Sequence, residues 1–340
     1  MGKSFLVLFF KKEHLPFPCL PKELPRVLVY GLNRLALAAL IVLAAMAILV
    51  GMIHLVPGDA ASIVLGTRAT PELVAEFRGR MGLDQPLPMQ LAGFVWRALH
   101  GDLGRDLFSN LPVTTIIVRE LPYTFVLAAA GLGWATLLGI PLGCFSAAYR
   151  NTWLDRVMGV AAVSAIAVPS FVVAIYALLI FAVWLRWFPA LGAGPEGEPL
   201  IQLRYLVLPA FALGLGWVGY ICRLVRASML EVLTENHIRT AHAFGLPERR
   251  VIYRYALQIA ILPTVTLLGT GMGRLLSGAV FIEIVFNRPG LGKLVLESVN
   301  ARNYPIVLGA VLVTTIIFVL CTLASDLLAA ALDPRLRERL

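Results

Sequence analysis

The sequence predicts an all-α membrane protein of six transmembrane helices with both termini in the cytoplasm. Three observations predict it. First, 59% of the 340 residues are hydrophobic and 14% are charged, with a mean hydropathy of +0.82; a soluble chain carries about 45–50% apolar and about 25% charged residues. Second, the apolar residues gather in charge-free runs able to cross a hydrocarbon core of about 30 Å, which takes about 20 helical residues. Third, Lys and Arg are divided unevenly between the connecting segments. The composition excludes disorder, a collagen-like repeat and a disulfide-stapled secreted domain. The net charge of +9 is nowhere concentrated with interleaved aromatics, so nucleic acid is not an implied partner.

In chain order, residues 1–34 form a cytosolic or interfacial lead-in, whose apolar stretch 5–10 is too short to span and precedes no small-residue cleavage site. Transmembrane helix 1 covers 35–56, and 57–120 is an external loop or cap. A five-helix core follows over 121–332, with helix 2 at 121–148, helix 3 at 157–185, helix 4 at 205–222, helix 5 at 255–282 and helix 6 at 304–332. Residues 333–340 are a cytoplasmic tail. Helix 5 is interrupted by Arg274 alone. Pro57, Pro169, Pro209, Pro263 and Pro305 fall at or inside the spans, where prolines mark kinks or ends. Cys19, Cys144, Cys222 and Cys321 lack metal-type or paired spacing and read as packing residues.

Orientation follows from the basic residues. Segments 1–34, 149–156, 223–258 and 333–340 carry seventeen Lys and Arg against eight acids, while 57–120, 186–204 and 286–303 carry eleven against ten. The first set is therefore cytoplasmic. It includes one unusually long connection, 223–258, and a loop of that length in a compact bundle is usually functional.

That loop reads RLVRASMLEVLTENHIRTAHAFGLPERRVIYRYALQ. Leu224, Val225, Met229, Leu230, Val232 and Leu233 recur at helical spacing and carry helix 4 into the cytoplasm. Residues 236–244 predict a second short helix that Gly245 ends, before Leu246 and Pro247 turn the chain. Lying across the cytoplasmic face with Ala241 and Phe244 as contact residues, it suits another protein's groove. The plainer alternative is a basic juxtamembrane loop that grips anionic lipid. His237 and His242 have no nearby Cys and do not form a metal site.

RTAHAFG (239–245), followed by LPERRV and Pro263, resembles the cytoplasmic "EAA" loop of ATP-binding-cassette (ABC) importer permeases, in the form found in the dipeptide, oligopeptide and nickel family. Arg239, Thr240 and Ala241 stand where the general pattern has Glu-Ala-Ala, so only the last alanine matches, although Arg-Thr-Ala is common in the peptide branch. Tyr255 stands where that branch often has histidine. LVPGD (55–59), GDLGRDL (101–107), GIPLG (139–143), WLDR (153–156), VPSF (168–171), RASMLEVL (226–233), SGAVFIEIVFNRPGLG (277–292) and LDPRLR (332–337) match in order and spacing. The resemblance runs from about residue 31 to 337.

It implies the type I (MetI-like) importer permease fold in a prokaryotic plasma membrane, carrying peptides or peptide-like solutes by alternating access. The implied partners are a second homologous permease, two ABC ATPase subunits that bind ATP and Mg, an extracytoplasmic substrate-binding protein and membrane lipid. The coupling residues would be Arg239, Thr240, Ala241, Phe244, Gly245 and Leu246. No G-x-x-x-x-G-K-[ST] occurs, so this chain holds no P-loop and no cofactor of its own. No catalytic triad or carboxylate pair marks it as an enzyme.

The expected translocation-pathway residues are Pro169, Ser170, Gly273, Arg274 and Ser277. A charge deep in a span is costly unless it faces a pore, a partner charge or the interface. Arg274, where the family often has a small residue, would then favour anionic solutes, or else pair with Glu283 or with the partner permease. Gly269, Gly271 and Gly273 suit close helix packing or pore lining. Arg68, Glu72, Glu76, Arg78, Arg80 and Asp84, at near-helical spacing, suggest a folded cap that meets the binding protein, the alternative being a solvated loop. A nickel chelate remains an alternative cargo. A self-sufficient carrier or channel would need inverted repeats or several buried ionisable groups, of which the sequence has few.

Overall fold

The computed structural model describes residues 26–55, 70–72, 74 and 85–332, with side chains over 36–51, 70–72, 74 and 85–325. The lead-in over 1–25, the tail over 333–340, and Arg68, Glu76, Arg78, Arg80 and Asp84 lie outside the described residues.

Ten helices organise the described chain. They are α1 (Arg26–Leu55), α2 (Leu87–Leu99), α3 (Val113–Ala148), α4 (Trp153–Ala167), α5 (Ser170–Ala177), α6 (Pro199–Val232), α7 (Asn236–Ala243), α8 (Leu262–Val285), α9 (Leu291–Asn300) and α10 (Tyr304–Leu332). A π-helical turn, Leu178–Trp184, extends α5, and short helical pieces over 248–260, π-helical at Val251–Ala256, lead into α8. Helices α3, α6, α8 and α10 are each long and apolar enough to cross a membrane, and the bent pair α4–α5 makes a fifth such unit. Helix α1, with 30 residues, reaches about 45 Å and has the length for a sixth.

One predicted span is not a single helix. Helix 3, expected over 157–185, is broken between Ala167 and Ser170, where its halves diverge by 97°. Pro169 lacks an N–H, and its ring pushes Val168 out of the helical region, so both residues are extended, with ψ of 122° and 139°.

The central pair is α3 against α6, with α8 packed on both and on α10, α4 along α6, and α1 at the edge against α10. Close approach of α3 and α6 depends on Gly143, where an added Cβ would lie 2.7 Å from Cys222 O and from Val225 Cβ. Three apolar clusters stack along the bundle. One joins α3, α5, α6 and α8 at mid-height. A second gathers Cys144 and Ala147 of α3, Val225, Met229 and Val232 of α6, and the returning residues Val251, Ile252 and Ala256. The third joins α1, α2, the start of α3, α9 and the start of α10.

Candidate functional site: a seated helix and an open transmembrane face

Helix α6 has 34 residues, about 51 Å, so it outruns a 30 Å hydrocarbon core by several turns. Its far end turns at Leu233 into α7, which is only 8 residues long. Alone so short a helix would not persist. It is held from below, because Ile238 and Ala241 are buried in the second cluster with the ends of α3 and α6. The other end is closed by a Schellman motif. Gly245 N–H donates to His242 O (2.9 Å) and Leu246 N–H to Ala241 O (3.3 Å), with Gly245 at φ +72° and Leu246 packed into the cluster.

Two sides result. Ala241, expected to meet a partner, instead faces inward, because position 241 shares the inner stripe with Ile238 one turn earlier. Leu246 is half-buried. Arg239, Thr240, Gly245 and Phe244 remain exposed, Phe244 at 81%. Arg249, Arg250 and Arg254 extend the exposed basic surface.

Beneath α7 lies an ionic tie. Asp155, in the first turn of α4, accepts two hydrogen bonds of 2.7 Å from Nε and Nη2 of Arg226 on α6, one of 2.6 Å from Ser146 Oγ on α3, and one of 3.0 Å from Asn151 N–H. Thr152 caps α4 by accepting from Asp155 N–H. Three helices thus share one buried carboxylate. The motifs WLDR and RASMLEVL each contain half of this tie, and spacing in sequence gives no hint of their meeting.

In the membrane, α8 leaves one face open. Arg274, Ser277, Phe281 and Ile284 are exposed at helical three- and four-residue spacing. Phe171 of α5 meets this face, its ring 6.0 Å from that of Phe281. Pro169 is exposed and Ser170 half-buried at the start of α5, so the bend in the broken span delivers them to the neighbourhood of the α8 face. Gly273 is different. It is buried against α10, where an added Cβ would stand 2.7 Å from Phe318. Ser277 also borders a cavity of about 230 Å³ lined mainly by apolar side chains of α3, α8, α9 and α10.

Arg274 does not pair with Glu283. Nine residues along one helix separate them by about 13 Å, and Glu283 is fully buried with other partners. Its Oε1 accepts from Thr124 Oγ1 (2.6 Å), and its Oε2 accepts from Gly292 N–H (2.8 Å) and Lys293 N–H (3.1 Å). Thr124 Oγ1 in turn accepts from Leu291 N–H (2.8 Å). The first three N–H groups of α9 are thereby capped by side chains of α3 and α8. The NRPGLG run makes room for this, because a Cβ at Gly290 would collide with the Glu283 carboxylate and one at Gly292 would lie 2.5 Å from Val280 Cα.

At the same end of the bundle the GDLGRDL loop docks on the start of α10. Asp106 accepts from Asn303 Nδ2, from Ser109 Oγ and from the N–H groups of Ser109 (2.8 Å) and Phe108 (3.4 Å). Burial by itself would raise the Asp106 carboxyl, but these hydrogen bonds outweigh it and hold the group below its ordinary value.

Comparison with known proteins agrees with this architecture. The family described as "Binding-protein-dependent transport system inner membrane component" matches residues 139–338, and its N-terminal companion matches residues 27–128. The chain belongs to this family. Among curated relatives, a glutathione transport system permease protein of Pectobacterium atrosepticum is 38% identical over 287 residues, 84% of this chain and 92% of the relative. The protein of the same name from Salmonella typhimurium is 36% identical over 314 residues, covering 92% and 100%. A putative peptide transport system permease protein of Brucella abortus is 38% identical over 84% of this chain and 91% of its own. An inward-facing structure of the MetNI methionine ABC transporter superposes with a TM-score of 0.54 at 17% identity, over 64% of this chain and 96% of that one, which shows the shared fold. This permease is therefore a multi-pass inner-membrane component of an ABC importer of the dipeptide and oligopeptide type. The transmembrane motifs are in place around its broken span and open α8 face.

Proposed function

We propose that this permease forms half of a translocation pathway for glutathione- or peptide-type solutes and works by alternating access, with both termini in the cytoplasm. A second homologous permease would close the pathway against the α8 face that carries Arg274, Ser277 and Phe281. Two ATPase subunits bind ATP and Mg and hydrolyse the nucleotide, and an external binding protein delivers the solute; this chain itself binds no cofactor. Arg274 draws carboxylate-bearing solutes into the pathway.

The observation that carries the reading is the double character of α7. Its inner residues Ile238 and Ala241 are locked into the cluster shared with α3 and α6, while Phe244 stands 81% exposed next to a basic surface. A push on Phe244 is thus transmitted through close-packed side chains, which shift as a unit because interiors are nearly incompressible. Arg239, Thr240 and Gly245 border the same contact, and Leu246 and Ala241 anchor it.

Reconstitution tests this directly. The permease pair with its ATPases should co-purify, and uptake of glutathione or dipeptides into proteoliposomes should require ATP and the binding protein. Phe244→Ala should cut uptake at least tenfold without changing the thermal stability of the permease. Full uptake by the permease without ATPases, or unaltered uptake with Phe244→Ala, contradicts the reading.

A further inference from the structure

Helix α2 lies in the segment that the sequence assigns to an external, water-facing cap, yet its composition and surroundings are those of lipid. LPMQLAGFVWRAL contains a single charged residue, Arg97 in the last turn. Its inner residues Leu91, Phe94 and Ala98 join the apolar cluster that contains Val42, Met46 and Leu49 of α1 and Ile306 to Val313 of α10. Those α1 positions fall within the charge-free run 35–56, and the α10 members lie in the first three turns of that helix, so the cluster reaches from the end of the bundle into membrane depth. Its outer residues Met89, Trp96 and Leu99 are 62, 67 and 76% exposed. Only Gln90 and Arg97, on one flank, are polar, and a helix whose inner and outer faces are both apolar calls for an apolar surrounding.

Its ends meet the same requirement. In hydrocarbon every backbone polar group has to be satisfied internally. At the start, Met89 N–H and Gln90 N–H both return to Pro86 O, Pro88 has no N–H to satisfy, and Gln90 Nε2 donates to Gln85 O. At the finish, Arg97 O accepts from both His100 N–H and Asp102 N–H, Ala98 O accepts from Gly101 N–H, and the His100 ring bonds Trp96 O at 2.8 Å. The Trp96–His100 ring contact at 4.8 Å, beside Arg97, places polar tips at one end of an apolar body, the pattern of side chains at a membrane–water interface.

We infer that α2 is embedded in the lipid leaflet on its side of the membrane, with Met89, Trp96 and Leu99 in contact with acyl chains. The binding protein is a poor occupant, because it comes and goes and a bare apolar face would stand in water between visits. The second permease is a poor one as well, because α1 and α2 lie at the edge of the bundle, in main contact with α10 and each other, away from the open α8 face. The inference does not depend on which solute is carried.

Spin labels at positions 89, 96 and 99, placed singly in a cysteine-free form of the assembled transporter in phosphatidylethanolamine–phosphatidylglycerol vesicles, test it. Lipid contact predicts collisions with oxygen several-fold above those with a water-soluble nickel chelate, unchanged by the binding protein, while a label at Phe108 in the external loop shows the reverse ratio. High chelate accessibility at 89, 96 and 99 overturns the inference in favour of water. Low accessibility to both reagents overturns it in favour of a protein neighbour. A label-free version uses lipids brominated at mid-chain, which should quench a Trp96 component that Trp96→Phe removes. An unquenched Trp96 counts against lipid.

Discussion

Arg226 grips Asp155 across 71 residues of sequence through two parallel hydrogen bonds of 2.7 Å. That fork ties α6, which leads into α7, to the start of α4, and Ser146 brings α3 into the same knot. If α7 takes up the motion proposed for it, this tie would pass it to three membrane helices together.

Arg226→Ala should destabilise the permease by about 2–3 kcal/mol, less than the 3–5 kcal/mol of a fully buried pair, because the Arg226 side chain is 34% exposed. Asp155→Asn should cost less, since it leaves no unpaired buried carboxylate. Arg226→Lys should fall between wild type and alanine, as a lysine cannot reproduce the fork. Thermal melts of the detergent-solubilised complex order these variants, and an Arg226→Ala chain that melts with the wild type contradicts the assignment.

Gly245 has open space around its α-carbon but a φ of +72°. Any penalty at this position is therefore one of backbone conformation, about 1–2 kcal/mol for a residue with a Cβ. Gly245→Val should uncouple ATP hydrolysis from uptake, whereas Gly245→Asn, which tolerates the left-handed region, should retain most of the coupling. Measuring both rates in proteoliposomes separates the two, and equal coupling in the Val and Asn variants would mean that the Schellman turn has no part in it.

Thr124→Val removes the hydroxyl that donates to Glu283 and accepts from Leu291 N–H. Both partners are buried, so a loss of about 2 kcal/mol is expected. Gly292→Ala should be at least as harmful, because its new methyl lies 2.5 Å from the α8 backbone at Val280. Limited proteolysis between α8 and α10 should speed up in each variant; resistance equal to wild type argues that the α9 cap is dispensable.

Arg274 stands on the open α8 face without Glu283 as partner. Arg274→Ala should raise KM for a carboxylate-bearing solute about tenfold, equivalent to about 1.4 kcal/mol, and leave an amidated analogue unaffected. Equal effects on both solutes would assign Arg274 to assembly and not to recognition.

Local chemistry made part of this legible in sequence. The short helix before Gly245 and its termination follow from residue types within one turn, and the spans follow from apolar runs longer than a bilayer is thick. Pro169 signals a kink, but a 97° break between two half-length helices depends on what α6 and α8 offer each half to pack against. Ala241 illustrates a second limit, since a small residue at a contact position and a small residue in a core look alike until the inner stripe of α7 is defined by Ile238. The Asp155–Arg226 tie and the Glu283–Thr124 cap join residues 71 and 159 apart, and one sequence holds no record of such meetings. In the segment 57–120 the charge spacing over 68–84 draws attention away from 87–99, where a stretch with Arg97 as its one charge forms a helix.

The most direct measurement is a photo-crosslinking amino acid at Phe244 in the assembled transporter, read with and without ATP. Efficient capture of the ATPase subunit at 244, with little capture from the inward-facing position 238, is the predicted result. Crosslinks at 244 to lipid alone, or equal capture at both positions, would contradict the claim that α7 is the element through which ATP hydrolysis drives this permease.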